Sequence, residues 1–275
     1  MIISENQLKE KEYFTMNSII SFDLDMTLLD HKNWGIPDSA MKAIELLRER
    51  ENRIIIATGR DMDNANSVPY RDQIQPDAII HLNGTKITVG GDIIFEHQFE
   101  KGLLERLLTY AEQNHHSVGL TVDGKDYYIC PDHITRHDMN LWGMSDRHYQ
   151  DPWKLMNEKV RTLAYIGDED GCRDLESHFP ELKFPMFAGK QGADIIEQGW
   201  SKADGLRHLC DYFGTDIRHT IAFGDSMNDS EILETANIGI AMGNAIEELK
   251  KVADYVTTSI EDDGVWNACR HFRLI

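Results

Sequence analysis

The chain reads as an α/β protein whose parallel-sheet core is interrupted by a smaller α+β insert. Three observations predict this. Continuous apolar runs such as Ile54-Ile55-Ile56 recur with helical segments between them, as strands buried on both faces of a parallel sheet do. Near residue 85 the texture changes to turn-flanked segments that read as antiparallel strands. The first texture returns at Lys202. The core is placed at residues 18–84 and 198–275, the insert at 85–197, and residues 1–17 read as a polar N-terminal extension.

Residues 19–22 form the first predicted strand. Pro37-Asp38-Ser39 then starts a helix whose apolar face is Ala40, Met41, Ala43, Ile44, Leu46 and Leu47. Strands follow at 53–57 and 77–82. Gly90-Gly91-Asp92 joins 86–89 to 93–95 as a hairpin, the first element assigned to the insert. A helix at 101–113 buries Leu103, Leu104, Leu107 and Leu108. Further insert strands are expected at 117–122, 126–130, 161–166, 183–187 and 193–196, with a helix at 171–179. In the returning core, a helix from Lys202 precedes a strand at 220–223, a helix around Ile232-Leu233 and a strand at 238–242.

Bulk properties narrow the function. The 275 residues carry 28 basic and 47 acidic side chains, for a net charge of −19, so no extended nucleic-acid footprint is expected. No apolar run approaches the roughly 20 residues of a membrane helix, and the first ten residues lack the pattern of a secretory signal. The four cysteines are far apart and form no CxxC pair, which points to a reducing cytoplasm.

Chemistry concentrates at the carboxyl ends of the core strands, where an open parallel sheet binds ligands. Asp23 and Asp25 follow the first strand. Asp225, Asn228 and Asp229 follow a later one, in Gly224-Asp225-Ser226-Met227-Asn228-Asp229. Carboxylates converging on one sheet edge repel each other. A hard divalent cation relieves that repulsion, and Mg2+ suits few carboxylates plus a substrate phosphate. Thr58-Gly59-Arg60 opens a helix after the second strand and offers a hydroxyl and backbone N–H groups to a phosphate. Lys202 supplies a compact positive charge. Taken singly, each of these reads as a turn, a loop or a surface lysine; their order and placement at core-element ends make the case.

With these segments in view, the sequence resembles the haloacid dehalogenase superfamily, specifically the Cof-like hydrolases of subclass IIB. The similarity lies in Asp23-Leu24-Asp25-Met26-Thr27, Ala57-Thr58-Gly59-Arg60, Ser201-Lys202 and Gly224-Asp225-Ser226-Met227-Asn228-Asp229. It extends to Leu82-Asn83-Gly84, Ala241-Met242-Gly243-Asn244-Ala245, residues 253–257 and residues 262–265. The resemblance implies a Rossmann-like parallel-sheet core with an inserted α+β cap, and a Mg2+-dependent phosphatase acting on a small phosphorylated metabolite, a sugar phosphate or cofactor phosphate. It implies that Asp23 is the nucleophile forming an aspartyl-phosphate and that Asp25 serves as proton donor and acceptor. Asp23, Asp225 and the backbone carbonyl of Asp25 would hold Mg2+. Leu24, Thr58, Gly59, Lys202 and Asn228 would hold phosphate, and Asp229 would orient Lys202. Met26 and Ala203 stand where the family usually has glycine.

Within the insert, Arg136 and His137 are the candidates for substrate specificity. His133 and His137 lie one turn apart if helical, but without the intervening glutamate of a zinc protease they read as a polar face or substrate contact. Two competing readings remain at this point. A phosphomutase or phosphotransferase would share Asp23 and Asp25, and a non-catalytic binding protein would keep only the fold.

Overall fold

The computed structural model describes residues 17–122, 124–187 and 189–275. The expected N-terminal extension, apart from Asn17, lies outside them. The chain divides into two compact units, one running to Glu96 and resuming at Trp200, the other spanning His97–Gly199.

In chain order the first unit begins with β1 (Ile19–Phe22), α1 (Asp38–Glu49), β2 (Arg53–Ala57), α2 (Val68–Ile74), β3 (Ala78–His81), β4 (Lys86–Val89) and β5 (Asp92–Glu96). The insert contains α3 (Lys101–Gln113), β6 (Ser117–Val122), β7 (Lys125–Tyr128), α4 (Asp132–Trp142), β8 (Leu163–Ile166), α5 (Glu169–His178), β9 (Leu182–Lys183) and β10 (Ala193–Glu197). The first unit resumes with α6 (Lys202–Phe213), β11 (Thr220–Gly224), α7 (Ser230–Thr235), β12 (Ile238–Ala241), α8 (Glu247–Val252), β13 (Tyr255–Val256) and α9 (Gly264–His271).

The first unit's sheet runs β13-β12-β11-β1-β2-β3-β4-β5. Strands from β13 to β3 are parallel, and β4 and β5 pair antiparallel at the edge. The parallel strands β1, β3, β11 and β12 are buried along their whole length, which explains their largely apolar sequences. Helix α1 adds Ala40, Ala43, Ile44 and Leu47 to this core, at the spacing of one helical face.

The hairpin expected to open the insert belongs instead to the core sheet. Ala78 pairs with Val89 and His81 with Lys86, so β4 continues the sheet edge. The change of texture near residue 85 marks a reversal of strand direction, and the break between units comes after Glu96. The helix expected to open at Thr58-Gly59-Arg60 does not start there: those residues lie in a loop after β2, and α2 begins at Val68. Periodicity also gives no sign of the short elements α8 and β13 or of the last helix α9. The strand expected at 183–187 is cut short at Lys183, because Pro185 has no N–H to give a ladder. Beyond it only an isolated bridge joins Met186 to Ala193.

The insert holds its own antiparallel sheet, ordered β7-β6-β8-β10-β9. Leu103, Leu104, Leu107 and Leu108 of α3 pack with Leu175, Val118, Leu163 and Ile195 to make a separate apolar core. Among the described residues no helix is long and apolar enough to cross a membrane.

Candidate active site

Strand β1 lies between β2 and β11, and the order of the sheet reverses there. The crevice at the carboxyl ends of β1 and β11 is therefore the switch point at which α/β sheets bind ligands. Asp23 follows β1 and donates its N–H to Phe223 C=O at 3.0 Å. Asp225 follows β11.

Lys202 joins the acids at this edge. Ser201 caps α6, accepting the Asp204 N–H at 3.3 Å, and so fixes Lys202 at the helix start. The Lys202 side chain is fully buried, and its ammonium donates to Asp23 Oδ1 at 2.7 Å and to Asp229 Oδ1 at 2.7 Å. The second oxygen of Asp229 accepts the N–H groups of Asp225 at 3.0 Å and Ser226 at 3.2 Å. Gly224 makes this possible: a Cβ there would meet Asp229 Cγ at 2.4 Å.

Carboxylate oxygens of Asp23, Asp225 and Asp229 lie within 4.8 Å of one another. Burial raises Asp23 to about 8; Lys202 opposes the rise, while Asp229 and Asp25 add to it. Asp225 is also pushed well above its ordinary value, by burial and then by Asp23 and Asp229. Lys202 stays charged, because Asp229 and Asp23 outweigh the cost of its burial. One ammonium cannot balance three buried carboxyl groups, so without a further cation Asp23 and Asp225 are driven toward their protonated forms. That all-oxygen donor set fits a hard divalent cation.

A second cluster, Asp61, Asp63 and His81, also brings metal-ligating atoms together. It already holds a cation: Lys86 Nζ lies 2.9 Å from Asp61 Oδ1 and 2.6 Å from Asp63 Oδ2. His81 Nδ1 accepts the Met62 N–H at 3.0 Å. This network anchors the loop after Arg60 and does not read as a metal centre.

Asp25 is turned to different partners. Arg60 grips it with Nε at 2.7 Å and Nη2 at 2.5 Å, and His31 Nε2 sits at 2.6 Å. Burial alone would raise Asp25, but His31 and Arg60 overcome it and hold the carboxyl down to about 2. Sequence reading singled out neither His31 nor the guanidinium of Arg60 as a partner of Asp25. The pairs are distant in sequence and carry no spacing signal.

Thr58 follows β2, buried, with its hydroxyl accepting the Arg60 N–H at 3.1 Å, and Gly59 lies between the two. Leu24 is buried, and its carbonyl accepts the N–H groups of Leu28 at 2.9 Å and Leu29 at 2.7 Å, forming the turn that follows Asp23. Met26 occupies the left-handed region at φ 56°, the conformation that favours glycine. Asn244 Nδ2 holds its carbonyl at 2.8 Å, and Asn244 Oδ1 accepts the Ile260 N–H at 2.9 Å. The C-terminal segment thus braces the turn that carries Asp25.

Asn83 lies in the Leu82-Asn83-Gly84 segment of the resemblance, but its partner is visible only in the structure. Its side-chain oxygen accepts from Asn228 Nδ2 at 3.0 Å, and its N–H donates to Thr58 C=O at 3.0 Å. The adjoining Gly84, at φ 97°, lets Ser201 approach so closely that a Cβ would meet Ser201 O at 2.0 Å. The Asn83-Gly84 turn therefore ties together the segments of Thr58, Lys202 and Asn228. Asn83→Ala removes a buried hydrogen bond and puts a Cβ-bearing residue without a local cap at φ 55°. It should cost about 2 kcal/mol in urea unfolding.

The insert's candidates share one cavity of about 320 Å3, lined by His133, Arg136, His137, Asn140 and Lys190 among others. Helix α4 places all but Lys190. Among the described residues, neither histidine belongs to a group of three or more metal-ligating side chains.

The comparisons agree with the geometry. A family model for haloacid dehalogenase-like hydrolases matches residues 20–269. The chain belongs to this family. YkrA of Bacillus subtilis (strain 168), which carries a phosphatase name, is 28% identical over 262 residues, covering 94% of this chain and 99% of that one. The 5-amino-6-(5-phospho-D-ribitylamino)uracil phosphatase YitU of the same organism is 27% identical, covering 90% and 94%. A solved sugar phosphatase of subclass IIB of the superfamily aligns with TM-score 0.84 at 25% identity, covering 94% of this chain and all of that one. Membership makes the chain an enzyme of the haloacid dehalogenase-like hydrolases, and these relatives place it among the family's phosphoric monoester hydrolases.

Proposed function

We propose that the protein is a Mg2+-dependent phosphatase that hydrolyses a small phosphorylated metabolite through an aspartyl-phosphate on Asp23. The observation that carries this reading is the buried Lys202–Asp23 pair, 2.7 Å apart, in a three-carboxylate cluster at the switch point of the sheet. Asp23, Asp225 and the backbone carbonyl of Asp25 would hold Mg2+, which supplies positive charge to the carboxylates and to the phosphoryl oxygens.

Lys202 keeps one Asp23 oxygen in place. The other attacks phosphorus as the ester P–O bond breaks, and the departing oxygen takes a proton from Asp25. Water then attacks phosphorus of the acyl phosphate, Asp25 takes its proton, and inorganic phosphate leaves with Asp23 restored. Asp25 paired with Arg60 is ionised, the form that the second step requires. For the first step it must exchange these partners and carry a proton. The Thr58 hydroxyl accepts from Arg60 N–H and so keeps its own hydrogen to donate to a phosphoryl oxygen. Lys202, Asn228 and the N–H groups of Leu24 and Gly59 complete the cradle, with Asp229 holding Lys202. Arg136 and His137 are the proposed recognition residues of the insert. The test is release of inorganic phosphate from a panel of phosphorylated metabolites with Mg2+ present, compared with Asp23→Asn.

A pH dependence follows from the cluster. The Asp23 carboxyl is raised from 3.8 to about 8, so the folded protein holds a proton that the unfolded chain has released. Its contribution to stability is complete below about 3.8 and is lost as the pH climbs through about 8. Metal-free protein should therefore melt at a lower temperature at pH 8 than at pH 5. A hundredfold excess of Mg2+ over its Kd should add about 2.7 kcal/mol. Because binding displaces protons, a fixed Mg2+ concentration should raise the melting temperature more at pH 8 than at pH 5.

A further inference from the structure

The two oxygens of Asp25 are held unequally. Oδ1 accepts from Arg60 Nη2 at 2.5 Å and from His31 Nε2 at 2.6 Å. Among the described residues, Oδ2 accepts only from Arg60 Nε, at 2.7 Å. Each oxygen of an ionised carboxylate has about two acceptor positions and no hydrogen to give. The hydrogen of the His31 pair is therefore on Nε2. Both positions of Oδ1 are filled, and Oδ2 keeps one open.

The His31 side chain is 40% exposed, and side chains so open to water change rotamer quickly unless packing holds them. Trp34 does the holding. Its indole stacks on the imidazole, with centroids 4.6 Å apart and planes at 21°. The stack covers one face of the imidazole while its Nε2 edge meets Asp25. Burial does not account for Trp34 itself. It is 52% exposed, and its backbone sits in the left-handed region at φ 54°, a conformation costly for a bulky residue. The loop between β1 and α1 nonetheless fixes it there. Asp30 N–H donates to Gly35 C=O at 2.9 Å, Gly35 N–H to Asn33 Oδ1 at 2.8 Å, and the Tyr70 hydroxyl to Trp34 C=O at 3.4 Å. A strained backbone thus serves to set one ring edge against one carboxylate oxygen.

We propose that His31, steadied by Trp34, is a positioning residue for Asp25: it anchors Oδ1, so that Oδ2 is the oxygen that gives a proton to the leaving oxygen and takes one from water. The partner exchange that the first step requires is then confined to Arg60 Nε leaving Oδ2. The proposal rests on the phosphatase reading above. Its test compares kcat/KM, which includes the step that breaks the ester bond, for phenyl phosphate and para-nitrophenyl phosphate. The two esters are similar in size, but phenolate leaves less readily and draws more on the proton from Asp25. In His31→Ala the ratio of phenyl to para-nitrophenyl phosphate should fall about tenfold, because a misplaced acid slows the poorer leaving group more. His31→Gln keeps an N–H donor and should restore most of the ratio. Trp34→Ala should lower it about threefold, through the loss of the stack. An unchanged ratio in His31→Ala, even with both rates lowered, marks a merely structural residue and overturns the proposal. No recovery in His31→Gln, or a wild-type ratio in Trp34→Ala, overturns it too. If wild type releases phosphate from neither ester, it is the phosphatase reading that fails, and this inference falls with it.

Discussion

Asp23→Asn should lower phosphate release by about 10^3-fold or more while leaving the fold intact. Asparagine fills the same volume, and its oxygen can still accept from Lys202, which lies 2.7 Å from Asp23 Oδ1. What disappears is the anionic oxygen that must bond to phosphorus. The substitution carries a second signature. Because Asp23 is the group raised to about 8, the neutral variant should lose much of the fall in melting temperature between pH 5 and pH 8. A variant that merely unfolded would show neither a normal melting transition nor this selective flattening. Steady-state kinetics and thermal melts on the same preparation check both.

Lys202→Met should have the largest effect on stability. The ammonium makes 2.7 Å bonds to both Asp23 and Asp229, and all three side chains are nearly or fully inaccessible. Methionine fills much of the space but leaves two buried carboxylates without their cation. Breaking a buried pair in this way costs about 3–5 kcal/mol, most of it from the charge left behind. Activity should vanish as well, since the phosphoryl oxygens lose a cation. Adding Asp23→Asn to Lys202→Met should recover part of the lost stability in urea unfolding, because one orphaned charge is then gone. A double variant no more stable than Lys202→Met would show that the pair is not coupled as described.

How much of this was legible in the sequence depends on the kind of signal each feature leaves. Buried parallel strands write themselves as apolar runs, so β1, β2, β3, β11 and β12 were all foreseen. Residues that follow such strands sit at the sheet edge by geometry alone, so Asp23, Thr58 and Asp225 could be placed without coordinates. The hairpin of β4 and β5 was assigned to the wrong unit because strand direction and unit membership leave the same local pattern. Partners distant in sequence left no trace at all: His31 and Arg60 on Asp25, Asn83 on Asn228, Lys86 between Asp61 and Asp63. Met26 stands in the first motif where the family usually has glycine. Its left-handed backbone explains why glycine would suit that position, and the Asn244 bond to its carbonyl shows how the turn is held with a larger residue.

The central claim is that phosphate passes through Asp23. It is tested most directly by acid-quenching the enzyme during turnover with Mg2+ and a hydrolysed substrate, then locating any phosphoryl group by peptide mass spectrometry. The account predicts a phosphorylated peptide containing Asp23, formed and consumed at rates compatible with turnover and absent from Asp23→Asn. Steady release of phosphate with no phosphoryl group on that peptide, and an Asp23→Asn variant that retains the wild-type rate, would contradict it.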